Sequence, residues 1–234
     1  ILYKEDALLK SAAATRERMR MQLITTGQIA IANNGQEYLY DYGMDETQKD
    51  TVDVAWSDPS ADIIGDIQKM QDAIVALSGV KPTRMVLRNK VLRYMAKNTA
   101  FKNAIYVFAQ GTVNVNENAI KAFLSQELGI TGIAVNDKFY IDEDGNTQYY
   151  IPEDTVVLLP EGEIGNTWFG TTPEEADLLG SNAADVAIVD TGVAITVTKE
   201  TDPVRKVTKV SELCLPSAEN IDKIGILEVI PSSI

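Results

Sequence analysis

The chain has 234 residues, 45% of them hydrophobic and 24% charged, the balance of a soluble globular protein with room for one large domain or two smaller ones. Its net charge of −13 argues against binding nucleic acid by phosphate neutralisation, and the absence of histidine removes the usual general base, the usual metal ligand and every Ser–His or Cys–His nucleophile. A single cysteine, Cys214, excludes an intrachain disulfide and a cysteine-cluster zinc site; between Leu213 and Leu215 it reads as a small core residue. No apolar run approaches the roughly 20 residues of a bilayer span. No secretory signal is read at the start, and the chain begins at Ile1 rather than methionine, so an upstream piece is expected. Composition alone points to a reducing cytoplasm and a structural role.

Tyr3 to Thr26 reads as a helix with Leu8, Ala12, Thr15, Met19 and Leu23 as its stripe and Gly27 as its stop. Arg16, Arg18 and Arg20 fall largely off that stripe, where they contact a neighbouring subunit or solvate a face. Gln28 to Asp41 reads as a hairpin turning at Asn33-Asn34-Gly35, with Tyr38 and Tyr40 packing across the strands. A helix with one apolar face follows: Asp58 as N-cap, Pro59 at the first position, Ile63, Ile67, Met70, Ile74 and Leu77 inward, and Gly79 at the end.

After it come a strand, Arg84 to Leu87, and a short helix capped by Asn89 with Val91, Leu92 and Met95 inward. A further helix runs from Glu117 to Leu128 with Gly129 as its stop, and a short strand spans Ile133 to Val135. Lys138 to Ile141 and Gln148 to Ile151 form a second hairpin around Asp142-Glu143-Asp144-Gly145-Asn146. Three carboxylates there suggest Ca²⁺, but the later glutamate of an EF-hand is missing, and Asp-Gly between aromatics favours a turn. Thr155 to Leu159 is a strand between Pro152 and Pro160. Glu161 to Asp185 reads as a long loop with no packed element except Pro173 to Leu179, and it carries Trp168 and Phe169. Val193, Ile195 and Val197 mark another strand, and Val204 to Val229 offers two or three more, broken at Pro216. The glycines match no phosphate-binding loop, and no cofactor is expected.

Several landmarks together resemble the lambda-type major head protein family (capsid protein E) of tailed phages. They are Arg16 to Ile29, Trp56 with Asp58 to Ile63, Phe139-Tyr140-Ile141-Asp142 with Gly145, and Tyr150-Ile151-Pro152. Gly165, Thr167, Phe169-Gly170, Thr172-Pro173-Glu174-Glu175, Asp202-Pro203 and Leu215-Pro216 continue the series in order. The resemblance implies an α+β, Hong Kong 97-like capsid fold: a peripheral domain with a long spine helix, and an axial α/β domain. It implies a discontinuous peripheral domain at 1–53 and 199–234, its sheet shared by the first hairpin and the C-terminal strands, and an axial domain at 54–198. Family members carry an N-terminal arm and an extended loop before the spine helix, and both are missing from this sequence.

The function so implied is structural: pentamers and hexamers of an icosahedral, DNA-containing shell, in the virion and in the host cytoplasm before assembly. Each capsomer contact would be heterologous, one edge of a subunit against the opposite edge of the next. Trp168 and Phe169 are expected at that contact near the capsomer axis, with Arg16, Arg18 and Arg20 as candidates for charge pairing between subunits. Implied partners are other copies of the chain, with scaffold, portal and decoration proteins; no sequence-specific nucleic-acid binding, membrane or metal is expected. Two other readings stand beside this one. One is a bacterial encapsulin-like nanocompartment shell. The other is an enzyme using Asp142 and Glu143, or Glu174 and Glu175, as acid and base.

Overall fold

The computed structural model describes residues 2–33, 36–108, 115–142, 145–180, 184–190 and 192–231. In chain order its elements are α1 (Leu2–Thr26), β1 (Gln28–Asn33), β2 (Gln36–Asp41), β3 (Lys49–Thr51), α2 (Ile63–Ser78), β4 (Arg84–Leu87), α3 (Asn89–Lys97), α4 (Thr99–Phe108) and α5 (Glu117–Leu128). They continue with β5 (Gly132–Val135), β6 (Phe139–Ile141), β7 (Thr147–Tyr149), β8 (Thr155–Leu159), β9 (Thr167–Phe169), α6 (Pro173–Asp177), β10 (Asp185–Asp190), β11 (Val193–Thr201), β12 (Val204–Glu212), β13 (Cys214–Pro216) and β14 (Gly225–Glu228). Internal contacts divide the chain into one unit of Ile1–Arg20 with Gly165–Ser217 and another of Met21–Ile164 with Ala218–Ile234. These boundaries differ from those expected at 53/54 and 198/199.

In the larger unit five strands hydrogen-bond in the order β3-β14-β8-β4-β5. β8 is antiparallel to both neighbours, while the outer pairs β14–β3 and β4–β5 are parallel. β8 reads Thr-Val-Val-Leu-Leu and is buried at every residue, as a β-branched run covered on both faces must be. Its alternation splits the interior in two. Val156 and Leu158 join Trp56, Ile63, Ile67, Met70, Ile74, Met85 and Phe101, whereas Val157 and Leu159 join Ile24, Ile224 and Ile226. The expectation that the C-terminal strands share a sheet with the first hairpin is corrected. β1 and β2 form a two-stranded sheet of their own, and β14 lies between β3 and β8 because Ile226 and Leu227 feed the two cores from opposite faces.

Helix α2 keeps its predicted face and end. Ile63, Ile67, Met70 and Ile74 are buried, Leu77 is exposed, and Gly79 ends the helix in the left-handed region at φ 71°. Its start is corrected from Pro59 to Ile63. The Asp62 carboxylate accepts from the Gly65 N–H at 3.0 Å, while Asp58 turns on itself and accepts from the N–H (2.8 Å) and hydroxyl (2.7 Å) of Ser60. Trp56 is buried beside it, and its indole N–H donates to Asp66 Oδ2 at 2.8 Å. Buried Gln71 donates from Nε2 to the carbonyls of Pro82 and Leu128, both at 3.1 Å, tying α2 to the chain around β4 and α5.

Asn89 is the first residue of α3 rather than its cap. Its N–H is satisfied instead by the Asp137 carboxylate at 3.2 Å. Helix α4 was not anticipated; Asn98 Oδ1 accepts from the Phe101 N–H at 2.8 Å, and Phe101 and Ile105 are buried, with Phe101 edge-on to Phe123 at 5.3 Å. Helix α5 follows its prediction, with Asn116 as cap and Gly129 at φ 71°. The β1–β2 register sets Ile29 opposite Tyr40 and Ile31 opposite Tyr38, the expected cross-strand pairs; Asn34 and Gly35 lie outside the described residues.

In the smaller unit β10, β11 and β12 form an antiparallel sheet, and β9 pairs antiparallel with β13. The reading of Glu161 to Asp185 as a loop is thereby corrected at β9. A strand of three residues becomes stable only through a partner far along the chain. Helix α6 falls where expected, with Thr172 Oγ1 accepting from the Glu175 N–H at 3.2 Å and Pro173 at its start. Gly192 sits at φ 71° against two backbone carbonyls: a Cβ there would lie 3.0 Å from Gly170 O, 3.1 Å from Leu213 O and 2.9 Å from Phe169 Cβ. Gly192→Ala is therefore expected to destabilise the protein by about 1–3 kcal/mol through strain and overpacking. Urea unfolding of the two proteins checks this, and an unchanged midpoint would show that the turn can relax.

Candidate subunit-interface surface

Of the residues singled out as interface candidates, Arg16 and Phe169 come together in the smaller unit, and Arg20 reaches Thr167 on the same strand as Phe169. β9 is antiparallel to β13, with Phe169 opposite Cys214, Trp168 opposite Leu215 and Thr167 opposite Pro216. Alternation along so short a strand sends Trp168 to the side opposite its neighbours. It is 65% exposed, and its indole N–H donates to Ser217 Oγ at 3.1 Å.

Arg16 was expected off the covered face of α1, and the structure reverses that. Ala12 and Arg16 are half-buried and Met19 and Leu23 buried, whereas Leu8 and Thr15 are exposed. The reason is a partner: Arg16 Nε lies 2.9 Å from Glu212 Oε1, and its guanidinium is 5.6 Å from the Phe169 ring centroid. Arg20 donates from Nε (3.0 Å) and Nη2 (2.8 Å) to Thr167 Oγ1. Arg18 is half-buried on the same helix. So Arg16, Arg20, Phe169 and Thr167 form one group that holds β9. Glu212 and Thr167 belong to it and were not foreseen, since each lies far from its arginine in sequence.

Asp142 and Glu174, read from the sequence as candidates for acid–base chemistry, have structural duties. Asp142 accepts from the Asn146 N–H at 2.7 Å and from Gln148 Nε2 at 3.0 Å, which closes the β6–β7 turn. Glu143 and Asp144 lie outside the described residues, and no group of three or more potential metal ligands occurs among the described ones. Cys214 is half-buried, and burial, with the neighbouring Glu212 carboxylate, pushes its thiol up to about 12, leaving no thiolate at neutral pH. Glu174 is buried, accepting from Lys209 Nζ and Ser211 Oγ, both at 2.7 Å. These two bonds hold its carboxyl at about 2, too low for a general base at neutral pH. Among the described residues no helix is long and apolar enough to cross a membrane.

The sequence pattern of the family described as phage major capsid protein E matches residues 4–210. The chain belongs to that family. The fold agrees: the prophage capsid protein of E. coli CFT073 overlays with a TM-score of 0.72 at 20% identity, covering 97% of this chain and 66% of that one. A phage-related protein from Bordetella bronchiseptica RB50 overlays with a TM-score of 0.60 at 12% identity, again over 97% of this chain and 66% of the other. The chain thus spans just under two thirds of the length of both. The holo-SrpI encapsulin complex from Synechococcus elongatus PCC 7942 reaches a TM-score of 0.43, too low to bear on function. No similar sequence was found among curated proteins.

The Glu174 pairing gives a signed expectation. Because folding lowers its carboxyl from 4.5 to about 2, its contribution is complete above about 4.5 and is lost as pH falls toward 2. Glu174→Gln is expected to cost about 1 kcal/mol at neutral pH, a figure reduced because Lys209 is solvent-exposed. Thermal unfolding against pH should show the two proteins converging below about 4.5. A gap that stays constant into acid would mean that packing, not the ion pair, carries Glu174.

Proposed function

We propose that this chain forms the shell of a tailed phage or prophage head, assembling as pentamers and hexamers of an icosahedral particle around DNA. The observation that carries the reading is the family match over residues 4–210. The overlay on the prophage capsid protein supports it, and a Hong Kong 97-like division into peripheral and axial parts is proposed with it. In place of the boundaries 1–53 with 199–234 and 54–198, the proposal takes those of the two compact units. The unit holding most of α1 is then peripheral and the unit holding the five-stranded sheet axial.

The chain works in this reading by packing rather than by chemistry, and catalysis forms no part of it. Asp142 is engaged in a turn and Glu174 in an ion pair, and the one thiol, Cys214, is held protonated by burial. Its main partners are further copies of itself; scaffold, portal and decoration proteins are proposed as the rest of the head. It would occupy the host cytoplasm before assembly and the virion afterwards. Trp168 is proposed to meet a neighbouring subunit, with Phe169, Arg16, Arg18 and Arg20 bordering the contact. An exposed indole loses water favourably only against another surface.

Negative-stain electron microscopy with sedimentation velocity, on the full-length gene product expressed with its neighbouring genes, tests the reading. Rings or closed shells are expected, and a monomer or dimer that never forms rings, even with scaffold supplied, would overturn it. Trp168→Ala should weaken the oligomers while leaving the subunit's unfolding midpoint nearly unchanged. A large loss of subunit stability would instead assign Trp168 to the intrachain fold.

A further inference from the structure

Among the described residues, two strands in different sheets are each paired on one side only. β2, Gln-Glu-Tyr-Leu-Tyr-Asp, pairs with β1 alone, and its residues from Glu37 to Asp41 are all exposed. Tyr38, Leu39 and Tyr40 are exposed by 51%, 61% and 43%, three large apolar side chains in a row on both faces of an edge. β12 is nine residues long and lies at the edge of its sheet, paired with β11 only. Val204 at its start is 90% exposed. Long edges of this kind are templates for another strand and are normally covered or blunted by charge.

Their charges are opposite. β2 carries Glu37 and Asp41; β12 carries Arg205, Lys206 and Lys209, and its terminal Glu212 is taken up by Arg16. Arg205 pairs with Glu200 and Lys209 with Glu174. Lys206 stands apart. In the β11–β12 register it faces Lys199, both are exposed, and neither forms an ion pair among the described residues. Like charges set directly across a ladder repel, so the hairpin carries a local cost that an acidic group from outside would remove.

We infer that β2 of one copy adds antiparallel to the free edge of β12 of the next copy, setting Glu37 opposite Lys206, on the face it shares with Lys199, and Leu39 opposite the exposed Val204. The inference rests on the shell-forming reading above and names one of its contacts. Charge selects this pairing over the two symmetric ones. β2 against β2 would bring the acids Glu37 and Asp41 together, and β12 against β12 would supply no acid to the Lys199–Lys206 pair, since its one carboxylate, Glu212, is held by Arg16. A contact between two different edges is heterologous, so it repeats from copy to copy instead of stopping at a dimer.

Leu39→Cys and Val204→Cys, combined in a Cys214→Ser background, provide the test under mild oxidation of the assembled full-length protein. A ladder of covalent dimers and larger species on a denaturing gel is expected, with neither single-cysteine protein producing one. In parallel, Glu37→Lys or Lys206→Glu alone should raise the protein concentration needed for assembly by about fivefold, the upper worth of one exposed ion pair. The two reversals together should restore it, with unfolding midpoints unchanged throughout. Normal shells with no cross-link and no effect of charge reversal would overturn this contact and leave the shell reading standing. Failure of the unsubstituted protein to form rings or shells would overturn both.

Discussion

The buried strand β8 is the constraint from which the larger unit follows. A run of Thr-Val-Val-Leu-Leu with no exposed residue needs a strand on each side and cover on each face. β14 and β4 supply the sides. On one face α2 brings Ile63, Ile67, Met70 and Ile74; on the other, Ile24, Ile224 and Ile226 close over Val157 and Leu159. Each buried Val or Leu contributes roughly 1.5–3 kcal/mol, so the four aliphatic residues of β8 carry a large share of what holds this unit. The fit is close enough to dictate a glycine. At Gly225 in β14 a Cβ would lie 2.9 Å from Met70 Cγ and 3.3 Å from Ile74 Cγ1.

Elements whose start, face and stop are all local were legible in the sequence. Helix α5 has Asn116, an apolar face of Ile120, Phe123, Leu124 and Leu128, and Gly129, and it runs as read. Helix α2 shows how a local signal misleads. Asp58 and Asp62 are both good caps, and Pro59 favours the first. The choice goes to Asp62 because Ser60 satisfies Asp58 within two residues, leaving Asp62 free to accept from Gly65. Helix α4 carried a readable sign in Asn98, set three residues before Phe101 and seven before Ile105; with no glycine or proline breaking the chain there, the sign was passed over.

Pairings between distant residues were not legible. The membership of β14 in the five-stranded sheet is decided by which core its side chains reach, which no short window contains. The candidate surface shows the same limit. Trp168 and Phe169 stood out because aromatic residues in a Gly- and Thr-rich stretch need a reason, and Arg16 and Arg20 because they cluster. Nothing local said that Arg20 would meet Thr167, 147 residues away, or that Arg16 would turn toward Glu212. A guanidinium on the covered side of a helix breaks the apolar periodicity, so period alone places it outside. Only the distant carboxylate and the Phe169 ring make the position tenable.

The acidic composition then takes on a physical meaning. Asp41, Asp45 and Asp58 lie below the ordinary carboxylate range because nearby backbone N–H groups and hydroxyls bond them: Gly43 and Gln28 for Asp41, Thr47 for Asp45, Ser60 for Asp58. Asp62, Asp137 and Asp142 likewise take backbone N–H groups at a helix start or a turn. Asp41, Asp45 and Asp58 are weaker bases for these bonds, and without histidine no other side chain of this protein has an ordinary proton affinity near neutral pH. At these six positions a carboxylate that might suggest catalysis is employed in stopping or turning the chain. In the proposed shell the acidic balance of the chain opposes tight binding of phosphate by surfaces that need only enclose DNA.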